Sequence, residues 1–252
     1  MHPILLNLGF LKIYTYGFCI AIGFIIAVNI FIKKAKSYGY DEKFLENLIF
    51  SIFFAGLLGA RGLYIIINFK FFYQNPIEIF KIWNGGLVFF GGFIVGFIFL
   101  IFYLKKYKIP LFNITDLLTI NIPLAHAFGR IGCFMAGCCY GKETNSILGV
   151  VYKNQNCLAP INIKLLPVQL FEAIFNFSLF FFLYKYSKNK NLDGKITSLY
   201  LIYYSMFRFF IEFFRGDDRG NILFLSVGQF ISCFIFLFGI YLWIYLKKKI
   251  SQ

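Results

Sequence analysis

Tyr14-Thr-Tyr-Gly-Phe-Cys-Ile-Ala-Ile-Gly-Phe-Ile-Ile-Ala-Val-Asn-Ile-Phe-Ile32, followed at once by Lys33-Lys34-Ala-Lys36, decides the class of fold. A helix needs ~20 apolar residues to cross the hydrocarbon core of a bilayer, and this run has that length and closes on cations. It lacks the short apolar core and small-residue cleavage site of a signal peptide, so it reads as a retained anchor. The rest of the chain agrees: of 252 residues, 60% are hydrophobic and only 14% charged, with a mean hydropathy of +0.73. Such a composition excludes a soluble domain.

Further apolar windows of spanning length run at about Phe44 to Ile67, Leu87 to Leu104, Ile114 to Met135, Pro167 to Tyr184, Ile196 to Phe214 and Ile222 to Leu246. The expected fold is therefore all-α, a polytopic membrane bundle of about seven transmembrane helices. Assigning basic residues to alternate loops puts fourteen on the side of Lys33 and Lys247, and eight on the side of Lys12, Lys153, Arg215 and Arg219. The richer side is cytoplasmic by the positive-inside rule, which leaves the N-terminus outside and the C-terminus inside. The net charge of +14 comes as short clusters between apolar runs, so nucleic acid is not the expected partner. No linker or repeat divides the chain, and residues 1–252 read as one membrane domain. Its longest external excursion is 141–166. A second external segment, Asn68 to Gly86, is rich in aromatic residues, including Trp83, and suits either an interfacial helix or a re-entrant continuation of the second span.

Three arginines fall inside predicted spans: Arg61, Arg130 and Arg208. A permanent cation persists in hydrocarbon only where it faces protein, water or an anion, so each marks a candidate site. Arg61 lies in the small-residue run Ala55-Gly-Leu-Leu-Gly-Ala-Arg61, which also suits close helix packing. Arg208, Glu212 and Arg215 stack on one helical face at spacings of four and three. Glu172, with Gln169 one turn before it, is a further buried-looking carboxylate. Pairing Glu172 and Glu212 with these arginines leaves an excess of cation, for which a lipid phosphate is the expected anion, gripped bidentately by planar guanidinium. A channel is disfavoured because the charges cluster toward one end of the spans.

Arg130 sits in His126-Ala-Phe-Gly-Arg-Ile-Gly-Cys-Phe-Met-Ala-Gly-Cys-Cys-Tyr-Gly141, where Gly132 and Gly141 among others strip away side chains and let backbone approach a ligand. His126 lies one turn before Arg130, a neighbour that favours the neutral imidazole a general base requires. Cys138 and Cys139 fall near the outer surface, where an oxidising compartment permits a disulfide from one of them to Cys157. A zinc site from His126, Cys133, Cys138 and Cys139 matches no common ligand spacing. No metal or cofactor is expected.

In order along the chain, Tyr16-Gly17, Gly59-Ala-Arg-Gly-Leu-Tyr64, Trp83 to Gly92, Gly129-Arg-Ile-Gly132, Pro167-Val-Gln-Leu-Phe-Glu172 and Arg208 to Arg215 resemble the bacterial prolipoprotein diacylglyceryl transferases. The resemblance implies a seven-helix inner-membrane enzyme that moves a diacylglyceryl group from phosphatidylglycerol to the lipobox cysteine of a prolipoprotein. It also implies that Arg130 and Arg208 stabilise the leaving phosphate, with Arg61 and Arg215 in support and Tyr16 near the lipid head group. Phe90 stands where the family's Gly-Gly-x-x-Phe-His-Gly-Gly motif has histidine, and Cys133, Ala136 and Cys138 stand where Asn, Asn and Glu are usual. The base is then His126, or the thiol loses its proton to phosphate or water. Two alternatives stay open: a paralogue with another acceptor, and a phospholipid-binding protein without turnover.

Overall fold

A computed structural model describes residues 1–9, 12–81, 85–189, 192–217, 220–222 and 224–250. Trp83 and Arg219, used above for motif and topology, lie outside them. The helices are α1 (Thr15–Ser37), α2 (Glu42–Ile67), α3 (Phe69–Gln74), α4 (Phe89–Lys106), α5 (Leu111–Ala136), α6 (Val168–Tyr186), α7 (Lys195–Ile211) and α8 (Val227–Ile250). All seven expected windows fall on helices. Six are long and apolar enough to cross a membrane, while α7, with 17 residues, ends in the 3-10 turn Glu212–Phe214. The chain is mostly helical, as expected, and the described residues add three small antiparallel pairs: β1 (Ile4–Asn7) with β2 (Lys12–Tyr14), β3 (Val150–Val151) with β4 (Lys164–Leu165), and β5 (Asn221–Ile222) with β6 (Leu225–Ser226). Strands of two to four residues are too short to carry a hydrophobic period, so nothing in the sequence announces them.

Two compact units make up the chain, residues 32–111 and residues 1–31 with 112–252. In the first, α2 and α4 meet at glycines: a Cβ on Gly59 would lie 2.5 Å from both the Gly91 carbonyl and the Val95 Cβ. This is close small-residue packing of the kind membrane helices use, where lipid supplies no hydrophobic drive. Asp41 caps α2 by accepting from the Phe44 amide at 2.9 Å. The segment after α2 forms α3 and a 3-10 helix, Pro76–Phe80, with Phe71, Tyr73, Ile77 and Phe80 exposed.

In the second unit, Ile120 and Leu124 of α5 pack with Leu179, Phe180 and Leu183 of α6 and Ile196 of α7. The apolar windows of α5 and α6 are 50% and 44% buried, against 22% or less for the other four spans, so the helices carrying Arg130 and Glu172 are the interior ones. Asp116 of α5, a buried carboxylate not singled out in the sequence, caps α7 from outside: it accepts from the Gly194 and Thr197 amides, both at 2.8 Å, and from the Thr197 hydroxyl at 2.6 Å. Three good donors compensate its burial and fix where α7 begins.

Candidate phosphate site

Glu172 is the centre of the site. From α6 it pairs with Arg130 Nε of α5, with Arg208 NH1 of α7 at 3.4 Å, and with Arg215 NH1 beyond α7 at 3.3 Å. Arg208 NH2 also meets Glu212 at 2.5 Å, and the Arg215 fork is gripped twice by Asp217, at 2.9 and 2.8 Å. Three arginines expected together from the sequence are together. The expected excess of cation is corrected, however: Asp217 joins Glu172 and Glu212, so three carboxylates face three guanidinium groups. An aspartate two residues after Arg215 in the sequence was the available signal. What separates the arginines is access, since the Arg130 and Arg208 side chains keep 12% of their surface while Arg215 keeps 2%.

Backbone pairing explains how a residue beyond α7 reaches α6. The Lys142 amide donates to the Phe214 carbonyl at 2.9 Å and the Gly216 amide to the Tyr140 carbonyl at 3.0 Å, tying both sides of Arg215 to residues 140–142 after α5. Gly141 is the crossing point, where a Cβ would lie 2.5 Å from the Leu166 carbonyl. Burial alone would disfavour the Arg215 cation, but hydrogen bonds to Asp217 and Cys139 and the charge of Glu172 outweigh it and hold its pKa above the ordinary arginine value.

Arg130 Nε also donates to His126 Nε2, at 3.1 Å. Both contacts use Nε, so neither consumes the terminal edge of the fork. Tyr204, whose ring lies 5.4 Å from that of His126, is a further neighbour of Arg130 that the sequence reading missed. Gly132 lets α1 approach, because a Cβ there would sit 3.1 Å from the Tyr16 Cα and carbonyl. Tyr16, 42% exposed, thereby stands close enough to Arg130, Cys133, Cys138 and Cys139 to interact electrostatically with them. Gln169 is fully buried and donates to the Cys138 carbonyl at 2.7 Å and to the Tyr152 hydroxyl at 3.2 Å. It clamps the turn after α5. Burial pushes the Tyr152 phenol up to about 12, so it stays neutral.

The disulfide is a correction: all six cysteines are free. Cys157 packs with Tyr152, Ala159 and Leu165, while Cys133, Cys138 and Cys139 gather with their sulfurs within 4.8 Å of one another. Hydrogen bonds from Cys133 and Cys138, then from Arg215, hold the Cys139 thiol well below its usual pKa.

Arg61 belongs to the other unit. Its guanidinium donates to the carbonyls of Glu78, Ile79, Lys81, Gly85 and Gly86 at 2.5 to 3.5 Å and lies near the rings of Tyr64 and Phe72. Its described partners are uncharged.

A family model described as prolipoprotein diacylglyceryl transferase matches residues 3–245. The chain is 44% identical over 241 residues to the phosphatidylglycerol-prolipoprotein diacylglyceryl transferase of Clostridium tetani, covering 96% of each. It is 42% identical over 239 residues to the second transferase so named in Clostridium perfringens, covering 95% of this chain and 93% of that one. The corresponding protein of Clostridioides difficile is 33% identical over 251 residues, 99% of this chain and 97% of that one. With the ordered arginine, glycine and glutamate motifs gathered around Glu172, the chain belongs to the prolipoprotein diacylglyceryl transferase family.

Proposed function

We infer that this chain transfers a diacylglyceryl group from phosphatidylglycerol to the lipobox cysteine of prolipoproteins, the first step of lipoprotein maturation in the bacterial cytoplasmic membrane. The observation that carries this is the convergence of Arg130, Arg208 and Arg215 on Glu172 with the first two still accessible. In the reaction the thiol loses its proton and the thiolate forms a carbon-sulfur bond at the glyceryl carbon. The carbon-oxygen bond to phosphate breaks, and glycerol phosphate departs with the electron pair. Charge grows on the phosphate as that bond breaks, so donors fixed beforehand around it lower the barrier. Arg130 and Arg208 fill that role, Glu172 aims both, and Arg215 with Glu212 braces Glu172. Tyr16 lies at the head-group edge, with Gly132 and Gly141 admitting the backbone approach that shapes it and Gln169 holding the turn beneath.

His126 acts as a positioning residue. A neutral imidazole has one acceptor nitrogen, and here Nε2 already accepts from Arg130, so no lone pair remains for a substrate proton. Arg61 supports the fold of its own unit. The single membrane domain crosses seven times, α7 completed by its 3-10 turn, with the N-terminus and the 141–166 loop outside and the C-terminus in the cytoplasm.

Purified protein given phosphatidylglycerol and a lipobox peptide should release glycerol phosphate and yield a thioether-linked lipopeptide. Binding of the lipid without head-group release would overturn the transferase reading and leave a phospholipid-binding protein.

A further inference from the structure

Cys133 lies in the last turn of α5, and Cys138 and Cys139 follow the helix after Gly137. The chain then turns back hard: Gly137 has φ 77° and Cys139 φ 59°. A left-handed conformation is natural for glycine and costs roughly 1 kcal/mol or more for a residue bearing Cβ, so the fold holds Cys139 there against its preference. The turn is fixed from outside as well. The Cys138 amide donates to the Cys133 carbonyl at 3.1 Å, the Leu158 amide to the Ala136 carbonyl at 3.1 Å, and Gln169 to the Cys138 carbonyl at 2.7 Å. The outcome is three free sulfurs within 4.8 Å of one another, Cys133 buried and the other two half-buried.

We propose that Cys133, Cys138 and Cys139 form a three-sulfur site for a thiophilic divalent cation of the zinc class, whose fourth position takes the thiol of the acceptor peptide. Sulfurs around zinc at about 2.3 Å in a tetrahedron stand about 3.8 Å apart, which the 4.8 Å limit admits with small side-chain movement. Thiolate ligands select zinc over magnesium or calcium. Three protein ligands with one position left over is the pattern of a catalytic zinc; a structural zinc has all four filled. The site also adjoins the phosphate cluster, since Arg215 hydrogen-bonds Cys139 and pairs with Glu172. Arg215 thereby offsets the surplus negative charge that three thiolates leave on a divalent ion.

The fourth-position assignment rests on the transferase reading. A thiol bound to zinc gives up its proton, here to solvent, and remains a thiolate. That thiolate supplies the electron pair for the new carbon-sulfur bond, glycerol phosphate carries away the pair from the broken carbon-oxygen bond, and the metal keeps its oxidation state. The job that Phe90 cannot do as a base is thus assigned to three residues that replace or follow the family's usual Asn and Glu positions.

The test is metal analysis of the full chain purified in detergent without chelators. About one zinc per chain is expected, falling to background in C133S/C138S/C139S. After exchange with cobalt, the native chain should show thiolate-to-cobalt charge-transfer absorption that changes on adding a lipobox peptide and not its Cys→Ser counterpart. The cobalt readings need no variant to fold. A chain that releases glycerol phosphate while holding no zinc, and keeps turning over after dialysis against a chelator, overturns the proposal and leaves the transferase intact. A chain that holds zinc through these sulfurs but leaves phosphatidylglycerol uncleaved supports the metal site and overturns both the transferase reading and the fourth-position assignment.

Discussion

Arg61 and Arg130 are both arginines in the middle of apolar helices, yet their surroundings answer the charge differently. Arg61 is wrapped by five backbone carbonyls and two aromatic rings, and its donors tie residues 78, 79, 81, 85 and 86 to α2. Arg130 meets a carboxylate and an imidazole through one nitrogen, and that carboxylate is shared with two more arginines. Carbonyls cannot leave, so they make a cation structural. A shared carboxylate can be traded against an incoming phosphate, so it makes a cation usable. An intramembrane arginine is thus sorted by the identity of its partners, which sequence position does not reveal.

The sharpest break of this comparison is Arg130→Ala. Losing one fixed donor to a developing anion costs roughly 10²–10³ in kcat, and glycerol phosphate release should fall by that factor while the protein still purifies as a folded species. Arg61→Ala should do the reverse. It strands carbonyls at roughly 1–3 kcal/mol for each one that water does not reach, so the melting temperature in detergent falls while the surviving protein turns over normally. If Arg61→Ala abolishes turnover at unchanged stability, the distinction drawn here is wrong.

Gly132→Ala probes the join between α1 and α5 with a smaller effect. The new Cβ would meet backbone atoms of Tyr16 at 3.1 Å, and backbone cannot swing aside as a side chain can. Overpacking of this kind costs about 1–3 kcal/mol, and the displaced α1 carries Tyr16 with it. A several-fold rise in KM for phosphatidylglycerol, with a smaller change in kcat, is the expected signature.

Much of this was legible in the chain, for identifiable reasons. Spans announce themselves because the bilayer demands ~20 apolar residues, and every expected window carries a helix. Arg208 and Glu212 were legible as a pair because helical spacing is local, whereas Arg215 lies in extended backbone beyond the 3-10 turn and joins them through its pairing with residues 140–142, not through a shared helical face. What stayed hidden depends on the path of the backbone between elements. Asp217 pairs with Arg215 across a turn, Asp116 caps a helix about eighty residues further on, and Cys133, Cys138 and Cys139 converge only because Gly137 and Cys139 adopt left-handed conformations. A spacing that matches no common metal pattern on paper is closed by those two residues. The contrast between Arg61 and Arg130 was equally invisible, since both sit beside small residues in apolar windows.

A conservative change at His126 refines the comparison from the side of Arg130. If the imidazole were the base, its removal would cost about 10²–10⁴, the usual range for general acid-base catalysis. As an acceptor that orients Nε of Arg130 it should matter less, and a side chain with a carbonyl oxygen at similar reach should replace it. His126→Gln should therefore retain turnover within about tenfold of the native chain, a loss of at most about 1.4 kcal/mol of transition-state stabilisation. His126→Ala should fall below it, with the loss following the alignment of Arg130. The pH profile adds a separate reading: a base at His126 would give a rate limb that vanishes in both variants, whereas an orienting acceptor leaves the shape of the profile unchanged in His126→Gln. A vanished limb would return the proton-transfer role to this histidine and leave Glu172 as the group that aims Arg130.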